Sequence, residues 1–501
     1  MATTTQRLPI VEQLAAIRRG TEKILPNEAA LRGLMERAEV EGRPLRVKLG
    51  IDPTTHDLTL GHTIPLRNLR RFQDLGHQAV LVIGDYTATV GDPSGRSKAR
   101  PPLSHEQVRA NAATFREQAG KILDLERVEV VWNSEWLSKL RLQEMIKIGS
   151  TVSIKQMLEG EYFGRRFQDP EQTIFLHEFL YPIMQGMDSV NVRADIELGG
   201  SDQEFNCLMG RQMQRLFNQE EQIVITSPLI KGLVGQEKMS KSSGNYVSVA
   251  WSAQEQFNKL MTMSDERIPE YFQLLTDSSP KKVIDDYLST VKRIEGQLQS
   301  LPLATQVWIE QLQKLFKDVR QTHDQLMATA APPDQLLTDW LDTTKDAERR
   351  LRETISQYRA PQQPIPWQTI AASIGPVAAK KEVVEEIVSQ LNDPKEAAFV
   401  ATEYERYAQL RRAGGAASEL PANIREETLT VGADGVRLSS VLTTTGLAAS
   451  GSEAKRLIEQ RGVRVRGEIV MEKNMVLGQG EVEGTLLQVG QKPPVLLREA
   501  P

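Results

Sequence analysis

Three short apolar runs constrain this chain more than any other feature: Gln78–Gly84 (QAVLVIG), Val128–Trp132 (VEVVW) and Ile223–Thr226 (IVIT). Runs of this length, rich in β-branched residues, read as strands buried on both faces. A further short strand is expected at Arg46–Asp52, stopped by the turn at Pro53, and a helix from about Gly61 to Leu75. Strands alternating with helical stretches imply an α/β fold, a parallel sheet with helices on both sides.

The 501 residues allow roughly three domains at ~150 residues each. Residues 1–44 read as an N-terminal helical segment, with Ile10, Leu14 and Ile17, then Ile24, Leu31 and Leu34, near helical spacing. Strand signals stop after about residue 265, and the chain is polar and helix-rich until about 410. Ala331-Pro332-Pro333 and Pro361–Pro366 are expected breaks between helices. Ala413–Pro421, with its Gly-Gly pair, reads as linker, and short strands and turns return from about Thr428. No apolar run approaches the ~20 residues of a membrane span, so no membrane partner is expected. A single cysteine, Cys207, excludes an internal disulfide and fits a reducing cytoplasm. With only six histidines besides, no structural metal site is expected. The net charge of −5 does not suggest a nucleic-acid partner, but phosphate contact needs only a local basic face.

Two segments carry phosphate chemistry. Asp52-Pro53-Thr54-Thr55-His56-Asp57-Leu58-Thr59-Leu60-Gly61-His62 joins a strand end to a helix start, where an open parallel sheet binds ligands. A helix N-terminus offers N–H groups and partial positive charge to phosphate, and His62 can donate to a phosphoryl oxygen. The same residues also fit a plain turn and a helix capped by Asp57 or Thr59. Lys238-Met239-Ser240-Lys241-Ser242, followed by Ser243-Gly244-Asn245, sets two lysines in a Gly/Ser-rich stretch. Ammonium groups there could stabilise charge on a transferring phosphoryl group, although a bare pair of lysines also fits a solvated loop.

Together the two segments resemble the paired signatures of class I aminoacyl-tRNA synthetases, spelled HIGH and KMSKS. The second matches at every position of Lys238–Ser242. The first matches at Leu60-Gly61-His62 and departs at Thr59, where the family usually carries its first histidine. Gly91-Asp92-Pro93-Ser94-Gly95, Tyr181–Asp188 (YPIMQGMD) and Gly199–Gln203 (GGSDQ) narrow the likeness. Tyr181, Gln185 and Asp188 fall at i, i+4 and i+7, on one face of a helix otherwise apolar enough to be buried. Over about residues 45–272 the chain resembles tyrosyl-tRNA synthetases.

That resemblance implies a Rossmann-type catalytic domain over 45–272. It further implies that Asp188 accepts a hydrogen bond from a phenolic hydroxyl, that Asp92, Tyr181 and Gln185 hold an ammonium group, and that Gln203 lies near the carboxylate of the amino acid. Asp52, Thr54, Gly61, His62, Gly200, Asp202 and Lys238–Ser242 (Lys238, Met239, Ser240, Lys241, Ser242) would line an ATP site, with Mg2+ accompanying the triphosphate. Lys238, Lys241 and His62 would contact the transition state, assisted by Thr54 and Thr59. Many members carry a tyrosine facing the phenol where this chain has Lys48, and a bacterial branch with lysine there, sharing Asp85, Gly91–Lys98 and Pro101-Pro102, is more similar.

Residues 436–484 resemble the S4 RNA-binding fold, with Arg437, Lys455, Arg456, Arg461, Arg464 and Arg466 as candidate contacts to tRNA(Tyr). Lys455, Arg456 and Arg461 could share a helix face, while Arg464 and Arg466 would alternate along a strand; short charged runs also fit a solvated surface. The expected organisation is a helical domain over 273–412 with a helical insertion at about 276–370, a linker at 413–427, and an S4-like α+β domain at 428–501. Val307, Leu312, Leu315, Val319 and Leu326 are roughly at helical spacing in the insertion. Family membership implies a homodimer. Two rivals are a tryptophanyl-tRNA synthetase, disfavoured by the Tyr181/Gln185/Asp188 set, and a noncatalytic RNA-binding derivative, disfavoured by the intact Lys238, Lys241, His62 and Asp188.

Overall fold

A computed structural model describes residues 8–94, 103–241, 243–278, 282, 285, 314, 317–319, 321–326, 328, 333–356, 376–412, 424–432, 435–466, 468–489 and 495–500. Ser242, the Gly95–Lys98 run, Pro101-Pro102, Val307, Leu312, Leu315, Pro332, Pro361–Pro366 and the stretch Ala413–Pro421 lie outside the described residues. The chain forms two compact units, the first being Met1–Pro280 with Ala331–Thr338 and Glu386–Asp393.

The first unit holds a six-stranded sheet: β1 (Lys23–Leu25), β2 (Arg46–Ile51), β3 (Gln78–Ile83), β4 (Val128–Trp132), β5 (Ile196–Gly200) and β6 (Ile223–Ser227). Their order is β1-β6-β5-β2-β3-β4, parallel except for β1 against β6. The chain steps outward from β2 to β3 and β4, then crosses over to β5 and β6 on the other side of β2. That reversal between β2 and β5 opens a crevice at the carboxyl ends of the strands.

The apolar runs account for β3 and β6, which are almost wholly buried. Two expectations need correction. β4 is an edge strand with all five residues partly exposed, not a strand buried on both faces. Residues 1–44 are not purely helical: helices Ile10–Arg18 and Glu28–Val40 flank β1, so Ile24 pairs with Ile225 across the sheet edge. Three residues are too few for a periodic signal, and the edge of β6 supplies the hydrogen bonds that make them a strand.

The helix Leu60–Asp74 buries Ile64, Leu66, Leu69 and Phe72. The helix Leu180–Val192 is buried on nearly every side and packs so tightly on Glu204–Leu216 that a Cβ at Gly186 would meet Met213 Cγ at 2.7 Å. No helix among the described residues is long and apolar enough to cross a membrane.

The second unit comprises Lys281–Ala330, Asp339–Glu385 and Pro394–Pro501. Val319 is buried, and Asp318 pairs with Arg350 at 2.7 Å on the long helix Pro333–Ser356. Its C-terminal part is a five-stranded sheet and a two-stranded ribbon: β7 (Arg425–Leu429), β8 (Val436–Arg437), β9 (Val463–Val465), β10 (Glu468–Ile469), β11 (Val476–Leu477), β12 (Thr485–Val489) and β13 (Val495–Glu499). Leu438, Val441, Leu442, Ile458, Leu487 and Leu497 form its core. Arg425–Glu427, expected as linker, belong to this sheet: β7 runs parallel to β13, with Arg425 opposite Val495.

Candidate active site

Every parallel strand of the first unit ends in a residue of one cavity of about 890 Å³, or in a residue that supports it. Asp52 follows β2, Gly84 follows β3, Asn133 follows β4, Gly200 ends β5 and Pro228 follows β6. Asp52, Thr54, Thr59, Gly61, His62, Asp92, Tyr181, Gln185, Asp188, Gly200, Asp202, Gln203, Lys238, Met239, Ser240 and Lys241 all line this cavity.

At one end is Asp188, only 4% exposed. Its Oδ1 accepts from Trp136 Nε1 at 2.9 Å, and its Oδ2 from Asn133 Nδ2 at 3.3 Å. Burial pushes its carboxyl up to about 7, while Lys48, Trp136 and Asn133 pull the other way. Asn133 is fixed in turn, accepting from the Tyr86 N–H at 2.9 Å and donating to Thr87 Oγ1 at 3.0 Å. Lys48 does not reach the cavity as a spare donor. Its Nζ donates to Gln185 O at 3.2 Å and Ser189 Oγ at 2.7 Å and pairs with Glu197 Oε1 at 2.9 Å, so its three N–H groups are all engaged.

Beside Asp188 lies a patch of acceptors. Tyr181 donates its hydroxyl proton to Asp52 Oδ2 at 2.9 Å, and the other oxygen of Asp52 accepts from Thr87 Oγ1 at 2.7 Å. The phenolic oxygen of Tyr181 thus keeps acceptor capacity toward the cavity; burial and Asp52 hold its pKa well above the usual value. Asp92 sits in a turn closed by Ser94, whose N–H and hydroxyl donate to it at 2.9 and 2.6 Å. Burial pushes the Asp92 carboxyl upward. Gln203 spends its amide protons on Asp92 Oδ2 at 2.9 Å and Ser94 Oγ at 2.6 Å, and its carbonyl accepts from Asn206 at 3.1 Å. Here Gln203 orients Asp92, and neither amide proton is left over for a carboxylate.

At the other end is the helix start. Thr59 N-caps Leu60–Asp74. His62 Nδ1 accepts from the Thr59 N–H at 3.0 Å and lies 2.8 Å from Thr59 Oγ1. A backbone N–H can only donate, so Nδ1 is unprotonated and Nε2 carries the ring proton. The backbone at Thr59 thereby selects the tautomer in which His62 is a donor. Facing it, Lys241 donates to Thr55 Oγ1 and the Asp57 carbonyl, and Lys238 pairs with Asp202. Burial holds the Lys241 ammonium below its usual range. The loop between these lysines is shaped by Asn245, which accepts from the Ser240 N–H at 2.8 Å. At Gly200 a Cβ would stand 2.7 Å from Asp202 Oδ1, so only glycine lets this carboxylate lie against the strand end. Among the described residues, no three His, Cys, Asp or Glu side chains are grouped to hold a metal ion.

Sequence reasoning missed Asn133, Trp136, Thr87, Ser94 and Glu197. Asn133 and Trp136 had a usable signal, since they closely follow an apolar strand, where ligands bind. The others are recognisable only through contacts made across the fold.

The candidate RNA contacts lie in the second unit. Arg437, Lys455, Arg456, Arg461 and Arg466 are exposed and Arg464 is half-buried. Two details differ from the expected pattern. The helix is Gly451–Glu459, and Arg461 follows it with φ of +57°, off the helix face. β9 ends at Val465, and Arg466, with φ of +52°, turns its guanidinium to Thr485 Oγ1 at 2.8 Å and the Glu481 carbonyl at 2.7 Å. A left-handed residue breaks the two-residue alternation, so Arg464 and Arg466 do not extend from one strand face.

Residues 40–323 match the family described as tRNA synthetases class I (W and Y), and residues 436–482 match the S4 domain. The chain is 36% identical to the tyrosine–tRNA ligase of Nitrosospira multiformis, with 97% of each chain covered. It is 36% identical to that of Symbiobacterium thermophilum, again with 97% of each covered. Over 274 residues it is 48% identical to the Carboxydothermus hydrogenoformans enzyme, covering 55% of this chain and 66% of that one. A cavity at the switch point of a parallel sheet, an S4 domain and relatives matched over 97% of their length agree: this chain belongs to the tyrosine–tRNA ligases of the class I synthetase family.

Proposed function

We propose that the cavity at the strand ends carries out the tyrosine–tRNA ligase reaction in two halves, with the amino acid beside Asp188 and ATP beside His62, Lys238 and Lys241. In the first half a carboxylate oxygen of tyrosine attacks the α-phosphorus of ATP, the bond to the pyrophosphate oxygen breaks, and tyrosyl-adenylate forms. In the second, a hydroxyl of the terminal ribose of tRNA(Tyr) attacks the acyl carbon and AMP leaves.

No protein nucleophile is needed, so the side chains act by position and charge. Asp188 accepts a hydrogen bond from the phenolic hydroxyl, and phenylalanine would leave this buried carboxylate without that partner. Asp92, the Tyr181 oxygen and Gln185 suit an ammonium group because all three can present acceptors. His62 Nε2–H, Lys238 and Lys241 suit phosphoryl oxygens, with Thr54 and Met239–Lys241 completing the ATP side. Mg2+ would arrive with the triphosphate, held by phosphate oxygens and water. Arg437, Lys455, Arg456, Arg461, Arg464 and Arg466 contact the tRNA backbone. The reaction belongs to the cytoplasm, with the chain acting as a homodimer. Leu142, Ile146, Ile154, Phe167, Phe175 and Leu176 support the dimer, each more than half exposed along one segment of the first unit.

The observation that carries this reading is a buried, doubly hydrogen-bonded carboxylate sharing a cavity with the Lys238/Lys241 loop. ATP–pyrophosphate exchange tests it with tyrosine, phenylalanine and tryptophan supplied separately. Exchange with tyrosine alone is expected; exchange driven by tryptophan, or by none of the three, overturns it.

A further inference from the structure

The amino-acid end of the cavity rests on a buried ion pair that the reaction itself does not use. Lys48 on β2 and Glu197 on β5 are direct partners in the parallel register, so both side chains leave the same face of the sheet, beneath the helix Leu180–Val192. Each side chain is 1% exposed. All the polar atoms of the pair are satisfied. Glu197 Oε1 accepts from Lys48 at 2.9 Å and Gln185 Nε2 at 3.0 Å, while Oε2 accepts from Ser189 Oγ at 3.0 Å and from Gln222 Nε2. Gly210 makes room: a Cβ there would meet Ser189 Oγ at 2.7 Å and Glu197 Oε2 at 3.0 Å.

We propose that Lys48 and Glu197 form a positioning pair for recognition of the amino acid: Lys48 pins the helix turn bearing Gln185 and Asp188, and Glu197 orients the Gln185 amide. Lys48 grips that turn at two points, the Gln185 carbonyl and the Ser189 hydroxyl, which bracket Asp188 in the sequence. Glu197 takes a Gln185 Nε2–H, which leaves the side-chain amide oxygen Oε1 of Gln185 as the atom to face the cavity. An oxygen there accepts from an ammonium group; a flipped amide would present N–H to N–H. The two charges are needed together, because either alone would be a buried charge without its counter-ion. The pair acts on the substrate only through Gln185 and Asp188.

The inference rests on the assignment of this end of the cavity to tyrosine, and the test separates the two. The full-length double variant Lys48→Met/Glu197→Gln removes both charges at once. In ATP–pyrophosphate exchange its KM for tyrosine is expected to rise at least tenfold, with the KM for ATP within twofold and kcat within about threefold of wild type. The tyrosine-to-phenylalanine ratio of kcat/KM should fall by a similar factor. A folded double variant with tyrosine KM and selectivity within twofold of wild type overturns the proposal. Should the double variant not fold, Ser189→Ala, which only deletes the hydroxyl bridging the pair, decides. A threefold or greater rise in tyrosine KM at unchanged ATP KM supports the proposal, and no change overturns it. Failure of the wild type to exchange with tyrosine would instead refute the assignment of the site.

Discussion

Replacing Asp188 by asparagine should make the free protein more stable at alkaline pH while removing its selectivity. Burial raises this carboxyl from 3.8 to about 7, so ionising it in the folded protein is unfavourable. A tenfold change in proton affinity corresponds to ~1.4 kcal/mol, so the full displacement is about 4 kcal/mol. The sign follows from proton binding. The unfolded carboxyl releases its proton near 3.8 and the folded one near 7, so the folded state holds more protons in between. Wild-type stability is therefore fully present below the lower value and is lost as pH rises through the upper one. Asp188→Asn has no such loss. It carries a different, pH-independent cost. Its new N–H would face Asn133 Nδ2, and Asn133 cannot turn over because Tyr86 and Thr87 hold both ends of its amide. That donor-to-donor contact costs about 1–3 kcal/mol. At pH 5 the wild type has already lost about 1.7 kcal/mol, so the two proteins should be of similar stability there, and the difference should move in the variant's favour by about 3 kcal/mol between pH 5 and 8. Urea unfolding followed by tryptophan fluorescence at the two pH values measures this directly, since Trp136 touches the carboxylate. A stability difference that is the same at pH 5 and pH 8 would refute the reasoning. In the same variant, exchange with tyrosine should weaken far more than exchange with phenylalanine.

Other perturbations test the rest of the cavity. Gly84→Ala would push a methyl group into Asp52 Oδ1 and Thr87 Oγ1, breaking the support of Tyr181 at a cost of about 1–3 kcal/mol; the KM values for ATP and tyrosine should both rise, and unchanged values would deny Asp52 its role. Lys241→Ala should lower kcat for adenylate formation by ~10²–10³-fold with tyrosine KM nearly unchanged; in single-turnover kinetics, a loss under threefold contradicts a transition-state contact. Thr59→Val keeps the backbone donor to His62 but removes the hydroxyl, one neutral hydrogen bond, and so should reduce kcat by only about 2–10-fold; a loss as large as that of His62→Ala would mean that Thr59 touches substrate itself. In the second unit, Lys455→Glu with Arg456→Glu should raise the tRNA dissociation constant at least ~10-fold and flatten its salt dependence while leaving pyrophosphate exchange intact; unchanged tRNA affinity removes these residues from the contact surface.

Much of the site was legible because its residues belong to contiguous segments. Asp52–His62 and Lys238–Lys241 each announce a turn and a loop suited to phosphate, and Tyr181, Gln185 and Asp188 share a face by helical spacing alone. The strands were legible where they are apolar throughout, as in β3 and β6. β5 was not, because Glu197 interrupts it; a buried carboxylate in a strand makes sense only beside Lys48, a partner far away in sequence. β4 gave an apolar run yet lies at an edge, since strand order is fixed by crossovers and not by composition. Arg466 shows the same limit in the second unit, where one left-handed residue redirects a side chain that alternation alone would point elsewhere.

By itself, then, the sequence determined the chemistry of the local segments: which apolar runs are strands, which stretch carries lysines for phosphate, and which helix face carries the polar triad. These are properties of spacing along the chain, set by backbone geometry. Tertiary structure alone decided what each group can do. It committed the Tyr181 proton to Asp52, engaged all three protons of Lys48, and closed Asp188 between Trp136 and Asn133. Hydrogen-bond partners and desolvation depend on which distant residues meet, and for a buried charge those two quantities set the protonation state.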